Sequence, residues 1–95
     1  MGQTAPAMTR DTDPHEARRK KLLWRATHRG IKEMDILLGG YARVRVGAMS
    51  TGDLDSLEAI IDIPDQILLA WATRQEDVPQ DLMNPMLGDV LNFRP

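Results

Sequence analysis

The side chains that could carry acid–base, nucleophilic or metal chemistry are few in this sequence, and their spacing does not suit such work. The chain has two histidines, His15 and His28, two serines, Ser50 and Ser56, and no cysteine. There is no Gly-x-Ser-x-Gly turn and no histidine pair at metal-ligand spacing. A cysteine nucleophile, a disulfide and a zinc–thiolate site are all excluded. The sequence therefore predicts a binding or assembly protein and not an enzyme.

Two short motifs could in principle hold an ion or a phosphate, but each lacks essential residues. The carboxylates between positions 53 and 65 do not have the central glycine and terminal glutamate of a calcium-binding EF-hand loop. The pair Gly39-Gly40 lacks the lysine and the hydroxyl residue of a phosphate-binding loop. We therefore predict that the chain binds no metal and no cofactor, FAD included, by itself.

Charge is the sharpest feature of the sequence. Positions 14–49 hold nine basic and three acidic residues, whereas positions 50–95 hold two basic and nine acidic residues. Within the basic half, spacings of seven, four and three residues would align one stripe along a helix, formed by Arg18, Arg25, Arg29 and Lys32. We call these four residues the basic stripe.

Three interpretations of the basic stripe are open. It could bind carboxylates of a protein partner, it could bind nucleic acid, or it could be only a solvated helix face. The charge segregation as a whole could favour an acidic partner or reflect attraction between the two halves within the fold. The sequence pI near 5.6 argues against nucleic acid, because such binding depends on neutralising phosphates.

Ninety-five residues are enough for one small domain. Residues 1–13 have neither the apolar centre of a secretory signal nor the Arg-rich composition of a transit peptide, so a disordered tail is expected there. Residues 14–95 are expected to form the domain. No apolar run approaches the roughly 20 residues that span a bilayer, so no membrane insertion is expected.

Five short helices are predicted in the domain. The first begins at Pro14 with Asp13 as N-cap and ends at Gly30. The second follows from Ile31, with Ile31, Met34, Leu37, Leu38 and Tyr41 on one face. Ser50 with Asp53 caps the third, Pro64 opens the fourth with Ile67, Leu68 and Trp71 facing inward, and Asn84-Pro85 starts the fifth, whose apolar side includes Met83.

The segment 42–46 alternates like a strand but has no partner strand, so we expect frayed helix or an extended connector. An all-α fold, a small antiparallel five-helix bundle, is the natural packing for these elements.

Residues 22–38 contain Arg-Gly-x-x-Glu followed by an acidic residue and an aliphatic run, at Arg29, Gly30, Glu33, Asp35 and Ile36 to Leu38. This resembles the signature of the succinate dehydrogenase assembly factor 2 family, also called FAD assembly factors. A second block, which includes Pro64-Asp65, Leu68 and Trp71, is similar to that family as well. The sequence departs from the family in two places. Thr27 replaces an aromatic residue of many bacterial relatives, and Arg74-Gln75-Glu76 replaces a glycine-containing link.

The resemblance implies a five-helix bundle that binds the flavoprotein subunit of succinate dehydrogenase and, in bacteria, also fumarate reductase. It implies promotion of covalent FAD attachment to a histidine of that subunit. A monomer in the bacterial cytoplasm is expected. The alternative function is a small helical regulator that binds nucleic acid through the basic stripe.

The resemblance also suggests which residues touch the partner: Arg29, Gly30, Glu33, Arg25, His28, Lys32, Trp24 and Asp35. Each has a simpler interpretation, since Gly30 can be only a helix cap and Arg29 can only complement the dipole of its own helix end. Trp71, on an apolar face, is expected in the core, whereas Trp24 beside the basic stripe could belong to either environment.

Overall fold

A computed structural model describes residues 14–94, and in this range the chain is helical without any strand. Helix α1 spans Pro14–Thr27 and α3 spans Thr51–Ile61. Helices α4 and α5 span Asp65–Ala72 and Pro85–Leu91. Between α1 and α3 a single helical run, α2, joins Lys32–Met34, a π-helical segment Asp35–Gly39 and Gly40–Arg45, and a 3₁₀ turn Val46–Ala48 follows it. The prediction of an all-α bundle is confirmed, while the predicted tail, the Asp13 cap and Pro95 lie outside the described residues.

Local sequence signals place the helix ends. Gly30 has φ +89°, as expected for a glycine between two helices. The Ser50 hydroxyl accepts the Asp53 N–H while the Asp53 carboxylate accepts the Ser50 N–H, so the predicted capping box is confirmed. Asn84 accepts the Leu87 N–H ahead of Pro85 and begins α5 as predicted.

The backbone of α2 packs very closely against α1 and Phe93 at Gly39 and Gly40. A Cβ built at Gly39 would lie 3.1 Å from the carbonyl oxygen of Ala26, and at Gly40 it would lie 2.6 Å from the ring of Phe93. The two glycines therefore permit close packing. The strand-like segment 42–46 continues this helix to Arg45, because Ala42 and Val46 are buried on its inner side while Val44 is exposed.

The core is formed by inward-facing aliphatic side chains of all five helices, with Trp71 at its edge, as predicted. Two inward-facing predictions are wrong. Ile67 is 41 % exposed because Leu68 and Trp71, three residues apart, define the buried side of α4. Met83 is half exposed because it precedes the Asn84 cap and lies outside α5. No helix within residues 14–94 is long and apolar enough to cross a membrane.

The 74–76 link, which lacks the glycine of the family, begins at the end of α4. Arg74 has φ +63°, the left-handed region that glycine normally occupies. The Gln75 N–H donates to the Ala70 carbonyl and the Arg74 N–H donates to the Trp71 carbonyl, which is the Schellman pattern of helix termination. Arginine therefore occupies a position where the backbone favours glycine.

We predict that Arg74→Gly raises the free energy of unfolding by roughly 1 kcal/mol, because it removes the steric penalty of a left-handed arginine. For a domain of this size the thermal midpoint should rise by about 4–8 °C. Gln75→Gly, at the exposed neighbouring position without positive φ, is the matched control and should not stabilise. A midpoint for Arg74→Gly at or below that of the original protein would contradict this account of the α4 end.

Candidate functional site

The Arg29 side chain is held inside the protein. Its Nε donates to Asp65 Oδ1 at 2.6 Å, one terminal nitrogen donates to the Ile61 carbonyl, and the other donates to the Ile63 carbonyl at 2.7 Å. The Arg29 side chain is 9 % exposed and that of Asp65 is 18 % exposed. Ile61 is the last residue of α3, where carbonyls lack intrahelical donors, and Ile63 lies in the link from α3 to α4. We call this group the Arg29 clamp.

This geometry corrects the sequence interpretation of Arg29. The prediction that Arg29 complements the end of its own helix is wrong, because the guanidinium reaches the end of α3 and the start of α4 instead. A contact between Arg29 and a partner protein stays a prediction. Asp65, which holds the Arg29 side chain, was not among the predicted site residues, although it stands in the second of the two blocks that carry the family resemblance.

A hydrogen bond from the backbone of Arg29 also holds the turn between α1 and α2. The Arg29 N–H donates to Asp35 Oδ1 at 3.0 Å, so the Asp35 carboxylate ties the first residues of α2 to the residue before Gly30. Gly30 itself is exposed, and a Cβ built on it would meet no atom within 4 Å. Asp35 thus has an internal role, whereas Gly30 leaves an open surface.

The two arginines of the basic stripe that lie on α1, Arg18 and Arg25, face the acidic half of the chain. Arg18 donates to Asp55 and to Glu58, at 2.7 Å in each case. Arg25 lies 2.6 Å from Asp62 and 3.8 Å from Glu58. The hydrogen bonds to Glu58 and then to Asp55 raise the pKa of Arg18 above its ordinary value.

The attraction between the two halves of the chain is therefore confirmed. Arg18 pairs with Asp55 and Arg25 pairs with Asp62, so the residue numbers of the partners increase together along α1 and α3. The two helices therefore lie side by side and run in the same direction. The basic stripe is not one helical stripe, because α1 ends at Thr27 and the Gly30 turn separates Arg29 from Lys32. Its three arginines already have carboxylate partners, which removes the basis of the nucleic-acid alternative.

An aromatic pair stands on the surface next to the turn. Trp24 is 61 % exposed and therefore lies at the surface and not in the core. Its ring stacks on His28 with centroids 4.4 Å apart and an interplanar angle of 13°. Because His28 Nδ1 lies 2.8 Å from the Trp24 carbonyl oxygen, Nδ1 carries the proton and donates, which orients the imidazole beside the indole.

Lys32 and Glu33 continue this surface onto the first turn of α2. Both are exposed, and neither forms an ion pair with any residue between 14 and 94. The eight predicted contact residues thus divide into two groups. Arg25, Arg29 and Asp35 are engaged within the fold, and an exposed group surrounds the turn, formed by Trp24, His28, Gly30, Lys32 and Glu33. We call the exposed group the turn surface.

The chain was compared with profiles of protein families. The profile of the family described as flavinator of succinate dehydrogenase matches residues 20–94, which include both blocks and the whole turn surface. The chain belongs to the succinate dehydrogenase flavinator family.

Individual relatives from this family are identical to this chain at about a third of the aligned positions. The FAD assembly factor SdhE of Acetobacter pasteurianus is 38 % identical over 71 residues, which cover 75 % of this chain and 65 % of the relative. The mitochondrial succinate dehydrogenase assembly factor 2 of Yarrowia lipolytica is 35 % identical over 63 residues, which cover 66 % of this chain and 43 % of the relative. That of Arabidopsis thaliana is 30 % identical over 91 residues, covering 90 % and 48 %. The chain thus spans less than two thirds of these relatives, and no solved structure matches it.

Residues 14–94 form no glycine-rich loop that could cradle a flavin nucleotide. Gly39-Gly40 lies within α2 with its backbone against α1 and the Phe93 ring, so its amides are not presented to a phosphate. The depression beside Trp24, with a volume of about 340 Å³, is walled by side chains of α1 and α3 and by Asp65, not by a glycine-rich loop. Residues 14–94 also bring together no group of three carboxylates or histidines that could hold a metal.

Proposed function

We propose that this protein binds the flavoprotein subunit of succinate dehydrogenase and promotes covalent attachment of FAD to it. The observation that carries the proposal is the turn surface. Gly30 and Glu33 of the Arg-Gly-x-x-Glu motif are exposed to solvent. The remaining defined residue of the motif, Arg29, is fixed by the hydrogen bonds of the Arg29 clamp. Membership of the flavinator family and the names of the relatives support the same function.

The protein acts by positioning and not by covalent catalysis. Its described residues supply no nucleophile or general base aimed at a common point, so the chemistry of flavin attachment belongs to the flavin and the client subunit. Binding of a rigid helical surface holds the client in a conformation that brings its histidine to the flavin. Alignment of this kind contributes through orientation.

The proposal includes the setting in which the protein works. It acts as a monomer, one copy to each flavoprotein subunit, and it serves fumarate reductase as well as succinate dehydrogenase. We place its action in the bacterial cytoplasm.

The function is tested with purified flavoprotein subunit that lacks FAD. We expect that addition of FAD and this protein gives covalent flavin faster than FAD alone, measured as ultraviolet fluorescence of the subunit after a denaturing gel. In a strain lacking the protein, the subunit polypeptide should persist while its flavin fluorescence falls. Unchanged fluorescence both in the strain and in the purified system would contradict the proposed function.

Gly30 gives a sharper prediction about the turn surface. Gly30→Asn and Gly30→Arg should both stay folded, because an added Cβ meets nothing within 4 Å and a left-handed residue costs only about 1–2 kcal/mol. Both should nevertheless lose flavin attachment, since their side chains would occupy the space that the client approaches. Thermal unfolding and the fluorescence assay, run on the same preparations, separate the two effects.

Gly47 provides the matched control, because it too has open space around an added Cβ but lies at the opposite end of α2 without positive φ. Gly47→Asn and Gly47→Arg should keep full activity. A Gly30→Asn protein that is folded and fully active would reduce Gly30 to a helix cap and refute its contact role.

A further inference from the structure

An apolar groove lies on the far side of Glu33 from the Gly30 turn, where α2 passes α4 and the end of α5. Its volume is about 240 Å³. Its apolar wall consists of Ile36, Leu37, Leu69, Ala72 and Leu91. Its polar residues are Glu33, Thr73 and Arg94. We call it the α2–α4 groove.

Ile36 is the unusual member of this groove. It is 41 % exposed, although it belongs to the aliphatic run whose third residue, Leu38, is fully buried. Ile36 also follows Glu33 by three residues, so the two side chains are neighbours on one face of α2. The groove therefore continues the turn surface and is not a separate region of the molecule.

The two charged residues of the groove are uncompensated. Neither Glu33 nor Arg94 forms an ion pair or side-chain hydrogen bond with any other residue of the described range. In contrast, the carboxylates of Asp55, Glu58 and Asp62 on α3 all have arginine partners. The groove thus presents one free anion and one free cation around an apolar wall.

We propose that the α2–α4 groove receives an apolar side chain of the client flavoprotein subunit, flanked by a basic group opposite Glu33 and an acidic group opposite Arg94. This inference rests on the proposed function, because the groove shares Glu33 with the surface assigned to the client. An apolar anchor in a pocket with a charged rim is the usual arrangement at the centre of a protein interface. The volume is below the range of about 300–1,000 Å³ for small-molecule sites, so a side chain suits the groove better than a cofactor.

The apolar part of the proposal is tested with Ile36→Asp. The readout is the affinity of the purified client subunit, free of FAD, for each variant in a fluorescence titration. We expect Ile36→Asp to raise the Kd by roughly tenfold or more, as for a buried interface anchor. The matched control is Val44→Asp on the same helix, where the side chain is 68 % exposed and does not line the groove. Its Kd should stay within about twofold of the original.

The charged part is tested at Arg94. Arg94→Glu should raise the Kd and Arg94→Lys should restore it, since only the sign of the charge is required. Repeating the titration at higher salt should narrow the difference between the two variants, because screening weakens an exposed charge pair. Thermal unfolding of every variant shows whether it is folded, and Ile36→Ser replaces Ile36→Asp in the titration if the latter unfolds.

The outcomes separate this inference from the proposed function. If the original protein does not bind the client subunit, the proposed function fails, and the groove assignment fails with it. If the original protein binds and folded Ile36 variants bind equally well, the groove assignment alone is overturned. A second copy of this chain as occupant would also overturn it, and would appear as a dimer in sedimentation that Ile36→Asp dissociates without changing client affinity.

Discussion

The arrangement of the site depends on one buried charged group, the Arg29 guanidinium. A largely buried charge is tolerated only when its hydrogen-bonding capacity is met. Here one carboxylate and two backbone carbonyls meet it. The same residue joins three parts of the fold, because its backbone leaves α1, its N–H is held by Asp35 of α2, and its side chain fixes the corner between α3 and α4. Breaking such a pair from one side costs about 3–5 kcal/mol, a large share of the stability expected of a small domain.

The consequence for function lies in which groups remain free. The arginines of α1 are matched by carboxylates of α3, so the strongest charge pattern in the sequence holds two helices together and leaves little for recognition. Beside the Gly30 turn, Lys32 and Glu33 are exposed and form no ion pair with any residue between 14 and 94. The Trp24–His28 stack, the open backbone at Gly30, Glu33 and Ile36 are all exposed within residues 24–36. Under the proposed function the client is bound at these residues, and the hydrogen bonds of the Arg29 clamp hold the turn in place.

Features that depend on local backbone rules could be predicted from the sequence. The positive φ at Gly30, the capping box at Ser50 and the Asn84-Pro85 start all follow from residues within one turn of each other. The partner of Arg29 could not be predicted in this way, because Asp65 is 36 residues away and only the packing of α1 beside α3 brings them together. The inward side of α4 was also ambiguous, since an eight-residue helix containing Ile67, Leu68, Leu69 and Trp71 has more than one apolar face. The sequence alone does not show which of the eight predicted contact residues are exposed. Exposure separates Trp24 and Glu33 from Arg25 and Asp35 only once the fold is known.

In the proposed complex the α1–α3 charges stay internal, and the client contacts the Gly30 turn and the α2–α4 groove. Amide hydrogen exchange of this protein, alone and bound to the client flavoprotein subunit, locates the surface that the client covers. We expect slower exchange on binding in residues 28–37 and 69–73, with no change in residues 55–62. Protection of residues 55–62 together with unchanged exchange in residues 28–37 would contradict this arrangement.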